Sequence, residues 1–183
     1  MQIKTIVVNA LLAGTGLAQL AVLQTGIKQV QDSLGKLDTA VKALTDINSA
    51  AALLKASTET QQATEKATTD IKAAQVLSLQ EALSLQEAAT PLTAAVKAVT
   101  DDLVAKKPVL DQIGATQQAL TTLNDQKKAA GALGEAVVSK IPAIGQAIAQ
   151  QSIGQMTTLI DGAIQKLGGT AKQSRSVPMP LVV

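Results

Sequence analysis

The positions where this chain could do chemistry are the polar residues set into otherwise apolar helical stripes. Ser152 lies one turn from both Ile148 and Met156, so all three share a helix face. Lys127 falls seven residues after Leu120 and seven before Gly134, with Leu123 close beside it, which sets an ammonium on the apolar side of its helix. Thr60, Thr64 and Gln86 occupy inward positions of earlier helices. A hydroxyl, amide or ammonium on such a face is costly unless it is paired. Each has a local explanation: a mid-helix Ser or Thr bonds the carbonyl one turn back, and a Lys at an apolar edge snorkels. For any single residue that explanation is the stronger one. Together, several small or polar inward positions in one bundle would leave a lined void. An apolar tube with a few polar groups suits a small molecule with an apolar body and one polar end.

Composition narrows the chemistry further. The 183 residues include no Cys, His, Phe, Tyr or Trp. That excludes zinc fingers, thiol nucleophiles, Ser-His-Asp triads and histidine metal sites. It also removes the aromatic platforms on which nucleobases and sugars stack. The formal charge is only +2, with 16 basic and 14 acidic residues interspersed, so no nucleic-acid footprint is visible. A carboxylate or Ser-Lys enzyme stays formally open, but the expected class is not an enzyme, and no cofactor or metal is expected. The core must be built from Ala, Leu, Val and Ile. Leu and Val bury about 1.5–3 kcal/mol each and Ala much less, so such a bundle has thin walls.

The elements that must position these residues can be read in order. Residues 1–18 have a lysine, a short apolar run and small residues at Gly16 and Ala18, the three-part form of a secretory signal, with cleavage expected between Ala18 and Gln19. No other stretch approaches the ~18 apolar residues of a membrane span. Ile27, Val30, Leu34, Leu37, Val41 and Leu44 alternate steps of three and four, an a/d seam for a first helix, with Thr25 as a candidate cap. A second helix is expected over residues 50–75. Its inward face is small or hydroxylated at Ala56, Thr60, Ala63, Thr64 and Ala67, so the space opposite must be filled by closer helix approach or by something that is not protein. Ser78 and Glu81 form a capping box for the next segment, which Pro91 either kinks or restarts. Leu92, Val96, Val99 and Leu103 mark its inward face. Lys106, Lys107 and Pro108 predict a hard bend. A fourth helix then carries Leu120, Leu123 and Val137, and Pro142 ends it. A fifth carries Ile148, Met156 and Leu167 and stops at Gly168 and Gly169. Five glycines in these last two helices, among them Gly131 and Gly134, predict close backbone approach or a wall that yields. Residues 170–183 read as a disordered tail.

In this order the chain resembles the fungal hydrophobic surface-binding protein A family, which includes cell wall mannoproteins. The resemblance rests on the signal-like start, the helix from Ile27 to Leu44 and the run Asp101-Asp102-Leu103-Val104-Ala105-Lys106-Lys107-Pro108. Val109 to Gly114 and Ser139-Lys140-Ile141-Pro142 belong to the same pattern. The resemblance implies a helical bundle that binds long-chain fatty acids in an internal tunnel or adsorbs to hydrophobic surfaces. Some members carry Ser/Thr-rich stalks and lipid-anchoring tails. Neither is visible here, so a secreted protein, released or associated with the cell wall, is expected.

The combined expectation is an all-α fold: a single antiparallel bundle of about five amphipathic helices over residues 19–169, with one helix kinked and an internal apolar tunnel. Its partner is a long-chain fatty acid or similar lipid. Ser152 or Lys127 would lie near the head, and Thr60, Thr64, Gln86, Val96, Val99, Leu120, Leu123, Ile148 and Met156 along the tube. The alternative is a surface-active protein that adsorbs to hydrophobic surfaces and recruits a secreted esterase. An extended coiled coil is a weaker reading, because Pro91, Pro108 and Pro142 cut the chain into bundle-length pieces.

Overall fold

The computed structural model describes residues 16–169, with side chains from Leu20 onward. The expected signal segment before Gly16 and the expected tail from Thr170 lie outside the described residues. The fold is all-α: α1 (Gly16–Lys42), α2 (Ile47–Ala73), α3 (Leu79–Ala105), α4 (Lys107–Gln112), α5 (Thr116–Lys140) and α6 (Ala143–Lys166). Five are long and one is short, so the bend at Pro108 is not bare. Pro108 sits in the first turn of α4, where its missing amide costs little. Gly114 closes that helix at φ 69°, with Ala115 N–H on Leu110 O at 2.8 Å and Gly114 N–H on Asp111 O at 3.2 Å. Gly168 closes α6 the same way at φ 97°, with Gly169 N–H on Ile164 O and Gly168 N–H on Gln165 O. Both are Schellman closures that favour a residue without a Cβ.

Local capping chemistry fixes the starts of α2 and α3. The Asp46 carboxylate accepts from Asn48 and Ser49 N–H, both at 2.9 Å, while Ser49 Oγ accepts from Asp46 N–H at 3.0 Å. Ser78 and Glu81 form the expected box, with Ser78 N–H on the Glu81 carboxylate at 2.8 Å. Thr25 does not cap α1. The helix begins earlier, and the Thr25 hydroxyl donates to Ala21 O at 2.7 Å. Pro91 neither starts nor divides a helix, and α3 runs through it. Glu87 and Pro91 are both exposed, so the carbonyl that loses its amide donor lies on the solvent side.

Packing arranges the long helices as a closed ring. α1 packs on α2 and α3, α3 on α6, α6 on α5, and α5 on α2; no long helices meet across the ring among the described residues. Paired residues give the directions. Gly26 meets Ala67 and Thr60 meets Ser33 across α1–α2, so the residue numbers fall on one helix as they rise on the other, and the pair is antiparallel. Lys127 meets Asp161 and Gly134 meets Ile153 across α5–α6 with the same sense. Lys42 bridges to Asp102, and Lys106 Nζ donates to Leu44 O at 2.9 Å, so α1 and α3 end together and are parallel. Consecutive long helices alternate in direction, but ring order is not chain order, so parallel neighbours also occur. α1 is the most enclosed helix: its whole a/d seam from Leu23 to Leu44 is 8% exposed or less.

The candidate site is a cavity inside the ring

A ring of five helices with no contact across its middle leaves its centre to be filled by side chains or left open. Here the inward side chains are short, and the centre is a cavity of about 440 Å³, within the ~300–1,000 Å³ range of small-molecule pockets. With water's ~30 Å³ per molecule as a gauge, that is room for at least ~15 heavy atoms. Part of the small-residue stretch on α2 is used differently. Ala67 lets α1 approach closely, since a Cβ at Gly26 would lie 3.5 Å from Ala67 Cβ. Thr60 and Thr64 open onto the cavity instead.

Most of the anticipated residues converge on this space. Thr60, Thr64, Gln86, Val96, Val99, Leu123, Ile148, Ser152 and Met156 all line it. Their polar groups are mostly engaged locally. The Thr60 hydroxyl donates to Ala56 O at 2.9 Å and sits 3.2 Å from Ser33 O; the Thr64 hydroxyl donates to Thr60 O at 2.8 Å. Ser152 makes a longer bond to Ile148 O at 3.3 Å.

Two anticipated residues lie elsewhere. Lys127 does not line the cavity; its ammonium pairs with Asp161 on α6 at 2.6 and 2.8 Å. Leu120 is buried but also outside the lining, close to Gly169 at the end of α6. The reason is common to both: Leu120, Lys127 and Gly134 form one stripe of α5, which meets Gly169 just beyond α6 and Asp161 and Ile153 of α6 in turn, and of the three only Gly134 also reaches the cavity. The stripe beside it, Leu123, Gln126 and Ala130, faces the cavity.

Sequence reasoning missed a polar row on the cavity wall. Gln118, Thr122 and Gln126 follow one another at four-residue spacing on α5 and all belong to the lining, Gln118 exposed and Gln126 donating to Ser57 O of α2 at 2.9 Å. Their spacing was visible, but polar residues at helical period normally signal a solvent face. Aliphatic lining residues mark the other end. Leu79 and Leu83 of α3 are 48% and 52% exposed, and Ile144 and Ile148 of α6 are 77% and 47% exposed, an apolar rim around a mouth between two helix starts.

No charged side chain lines the cavity among the described residues. The displaced titrations all belong to outer groups. Hydrogen bonds from Ser49 and Ser78 hold the Asp46 and Glu81 carboxyls below the usual range. Bonds from Lys97 and Lys107 lower Asp101 and Asp111, and Asp38 raises Lys42. The cavity is built to enclose an apolar molecule.

Comparison with known proteins agrees with this geometry. The sequence profile of the family described as hydrophobic surface binding protein A matches residues 20–139. Cell wall mannoprotein 1 of Aspergillus flavus is 33% identical over 161 residues, which is 85% of this chain and 57% of that protein, so the chain spans little more than half the relative's length. The fold is that of ligand binding domain 1 of the Penicillium marneffei MP1 protein, solved with arachidonic acids (TM-score 0.78, 24% identity, covering 81% of this chain and 98% of that one). It is also that of AFMP4P solved with palmitic acid (TM-score 0.79, 22% identity, covering 81% and 99%). With a family profile over most of its length and a relative at one-third identity, this chain belongs to the hydrophobic surface binding protein A family.

Proposed function

We propose that this chain is a secreted binding protein, not an enzyme, that sequesters a long-chain fatty acid or similar single-tailed lipid inside the helical ring. The observation that carries the reading is the continuous apolar cavity enclosed by five helices that do not meet across their centre. A tail of about fifteen methylenes buried at ~0.8 kcal/mol each yields about 12 kcal/mol gross. Association costs of ~4 kcal/mol or more leave about 8 kcal/mol at most, a Kd of about 1 μM at the tightest. The fatty acids in the solved MP1 and AFMP4P domains support the ligand class. The cell wall mannoprotein relative supports an extracellular location, with residues 1–18 as the signal and residues 19–169 as the binding domain. Among the described residues no carboxylate or lysine lines the cavity, which supports binding over catalysis.

A second reading, adsorption to hydrophobic surfaces, is favoured by one observation: the exposed rim of Leu79, Leu83, Ile144 and Ile148. Native mass spectrometry separates the two readings. After delipidation, titration with palmitic acid should return a discrete added mass at a fixed stoichiometry. A protein that coats a hydrophobic bead yet takes up no fatty acid refutes the carrier and leaves the adsorbing protein.

A further inference from the structure

α6 differs from the other long helices in where its buried residues fall. In α1, α2, α3 and α5 buried side chains recur along the described length. In α6 they are confined to the last turns, at Ile160, Ala163 and Ile164, with Leu167 just beyond. None of residues 143–159 is buried, although Ala149, Ser152, Ile153 and Met156 line the cavity. Facing the cavity does not by itself cause this, because Val30, Leu85, Val99 and Leu123 also line it and are 6% exposed or less. The ion pair that ties α6 to α5, Lys127 with Asp161, lies in the same last turns. At the other end no side chain caps the helix after Pro142. The first half of α6 meets α5 through Ile153, which fits against Gly134 where no Cβ stands.

A weak point separates the two parts. Gly154 is exposed, and a Cβ there would meet nothing within 4 Å. Packing therefore does not call for a glycine, while an interior glycine weakens a helix. The Gly154 carbonyl also accepts from the Thr157 and Thr158 hydroxyls at 3.0 and 2.7 Å, and hydroxyls bonded back in this way loosen and bend helices. The other boundary is the connection through Ile141 and Pro142. It leaves an α5 end that is held in place, since Lys140 O accepts from Leu77 N–H at 2.8 Å.

We propose that residues 143–153 of α6 are the lid through which the ligand enters and leaves, flexing at Gly154 and at Pro142 while the last turns of α6 stay in the core. This rests on the carrier reading above. Segments with few buried contacts open locally without global unfolding. Ile144 and Ile148 ride on the lid, so its outward motion widens the mouth that they share with Leu79 and Leu83 of α3.

The chain has no Cys, so a pair of introduced cysteines can form one defined disulfide. In the full chain, Gly134→Cys with Ile153→Cys joins α5 to the lid. With Pro142 already tying the start of α6 to α5, that bond pins the lid at both ends. Gly26→Cys with Ala67→Cys is the control across α1 and α2, where the Cβ atoms would lie 3.5 Å apart, within disulfide reach. Each variant is compared oxidised and reduced, which cancels the effect of the side-chain changes. Stopped-flow uptake of cis-parinaric acid, a fluorescent fatty acid, and its displacement by excess palmitic acid should slow roughly tenfold or more on oxidation of the lid pair. The control pair should show no slowing. Equal rates for the oxidised and reduced lid pair, or slowing of both pairs alike, overturn the proposal. Gly154→Ala and Gly162→Ala form a second test, because a Cβ meets nothing within 4 Å at either site and both gain the same helix propensity. Gly154→Ala should slow release about three- to fivefold, and Gly162→Ala, in the anchored turns, should not. Equal release rates for the two overturn the hinge, and this comparison decides alone if the disulfide does not form. A parent chain that takes up no palmitic acid at equilibrium overturns the carrier reading and the lid with it.

Discussion

Two glycines three residues apart on α5 should respond to the same substitution with opposite sign. A Cβ at Gly131 meets nothing within 4 Å, so Gly131→Ala should show only the helix-propensity gain of about 0.8–1 kcal/mol. A Cβ at Gly134 would lie 2.8, 2.8 and 2.9 Å from Cγ1, Cγ2 and Cδ1 of Ile153 on α6, against an ordinary carbon separation of ~3.5–4.0 Å. Ile153 is β-branched and in a helix has essentially one χ1 well, so it cannot swing away freely. Overpacking of this kind costs about 1–3 kcal/mol, which outweighs the propensity gain and leaves Gly134→Ala destabilised by about 1 kcal/mol. The two variants should differ by about 2 kcal/mol. At ~2–4 °C per kcal/mol for a chain of this size, thermal unfolding should place Gly131→Ala a few degrees above the parent and Gly134→Ala a few degrees below. Because Ile153 lines the cavity, Gly134→Ala should also weaken palmitic acid binding while Gly131→Ala leaves it unchanged. If both variants gain stability equally, α5 and α6 are not in contact at Gly134 and the ring does not close there.

Three further outcomes test other parts of the wall. Ser152→Leu adds two heavy atoms at the cavity lining and should displace about that many methylenes, or ~1.6 kcal/mol and roughly fifteenfold in Kd for palmitic acid, with the melting temperature little changed; unaltered affinity would remove Ser152 from the site. Lys127→Met breaks a pair whose side chains are only 18% and 26% exposed and should cost about 1–2 kcal/mol of stability without changing fatty-acid affinity; a large loss of affinity would instead return the head group to Lys127. The pH profile of stability should be flat through neutrality. The Asp46 and Glu81 carboxyls are lowered in the folded chain, so what they contribute is present above their ordinary pKa near ~4 and lost as pH falls through the depressed values. Lys42 is raised, so its contribution is full below its ordinary pKa near ~10.4 and lost as pH rises through the raised value. Melting temperatures that move between about pH 5 and about pH 9 would contradict this, since the chain has no His.

What the sequence determined by itself was whatever depends on near neighbours along the chain. The Ser78–Glu81 box, the stop at Gly168–Gly169 and the a/d seam of α1 involve residues one to seven positions apart, and all three stand in the structure. The absence of aromatics, Cys and His also restricted the chemistry without reference to any fold. Pro91 was ambiguous because a proline's effect depends on whether its helix face is solvated, and only the packing of α3 puts that face outside. Periodicity on α5 correctly marked Leu120, Lys127 and Gly134 as an inward stripe. It could not say what lay inward, and α6 lies there, so Lys127 meets Asp161 rather than the cavity. The glycines show the same limit: Gly134 and Gly145 are crowded, while Gly131, Gly154 and Gly162 face open space. The void itself belongs wholly to tertiary structure. Small residues on α2 are compatible with close packing, as at Gly26 and Ala67, or with open space, as at Thr60 and Thr64. The order of helices around the ring decides between them, because five helices closed on one another leave a centre that side chains of this size do not fill.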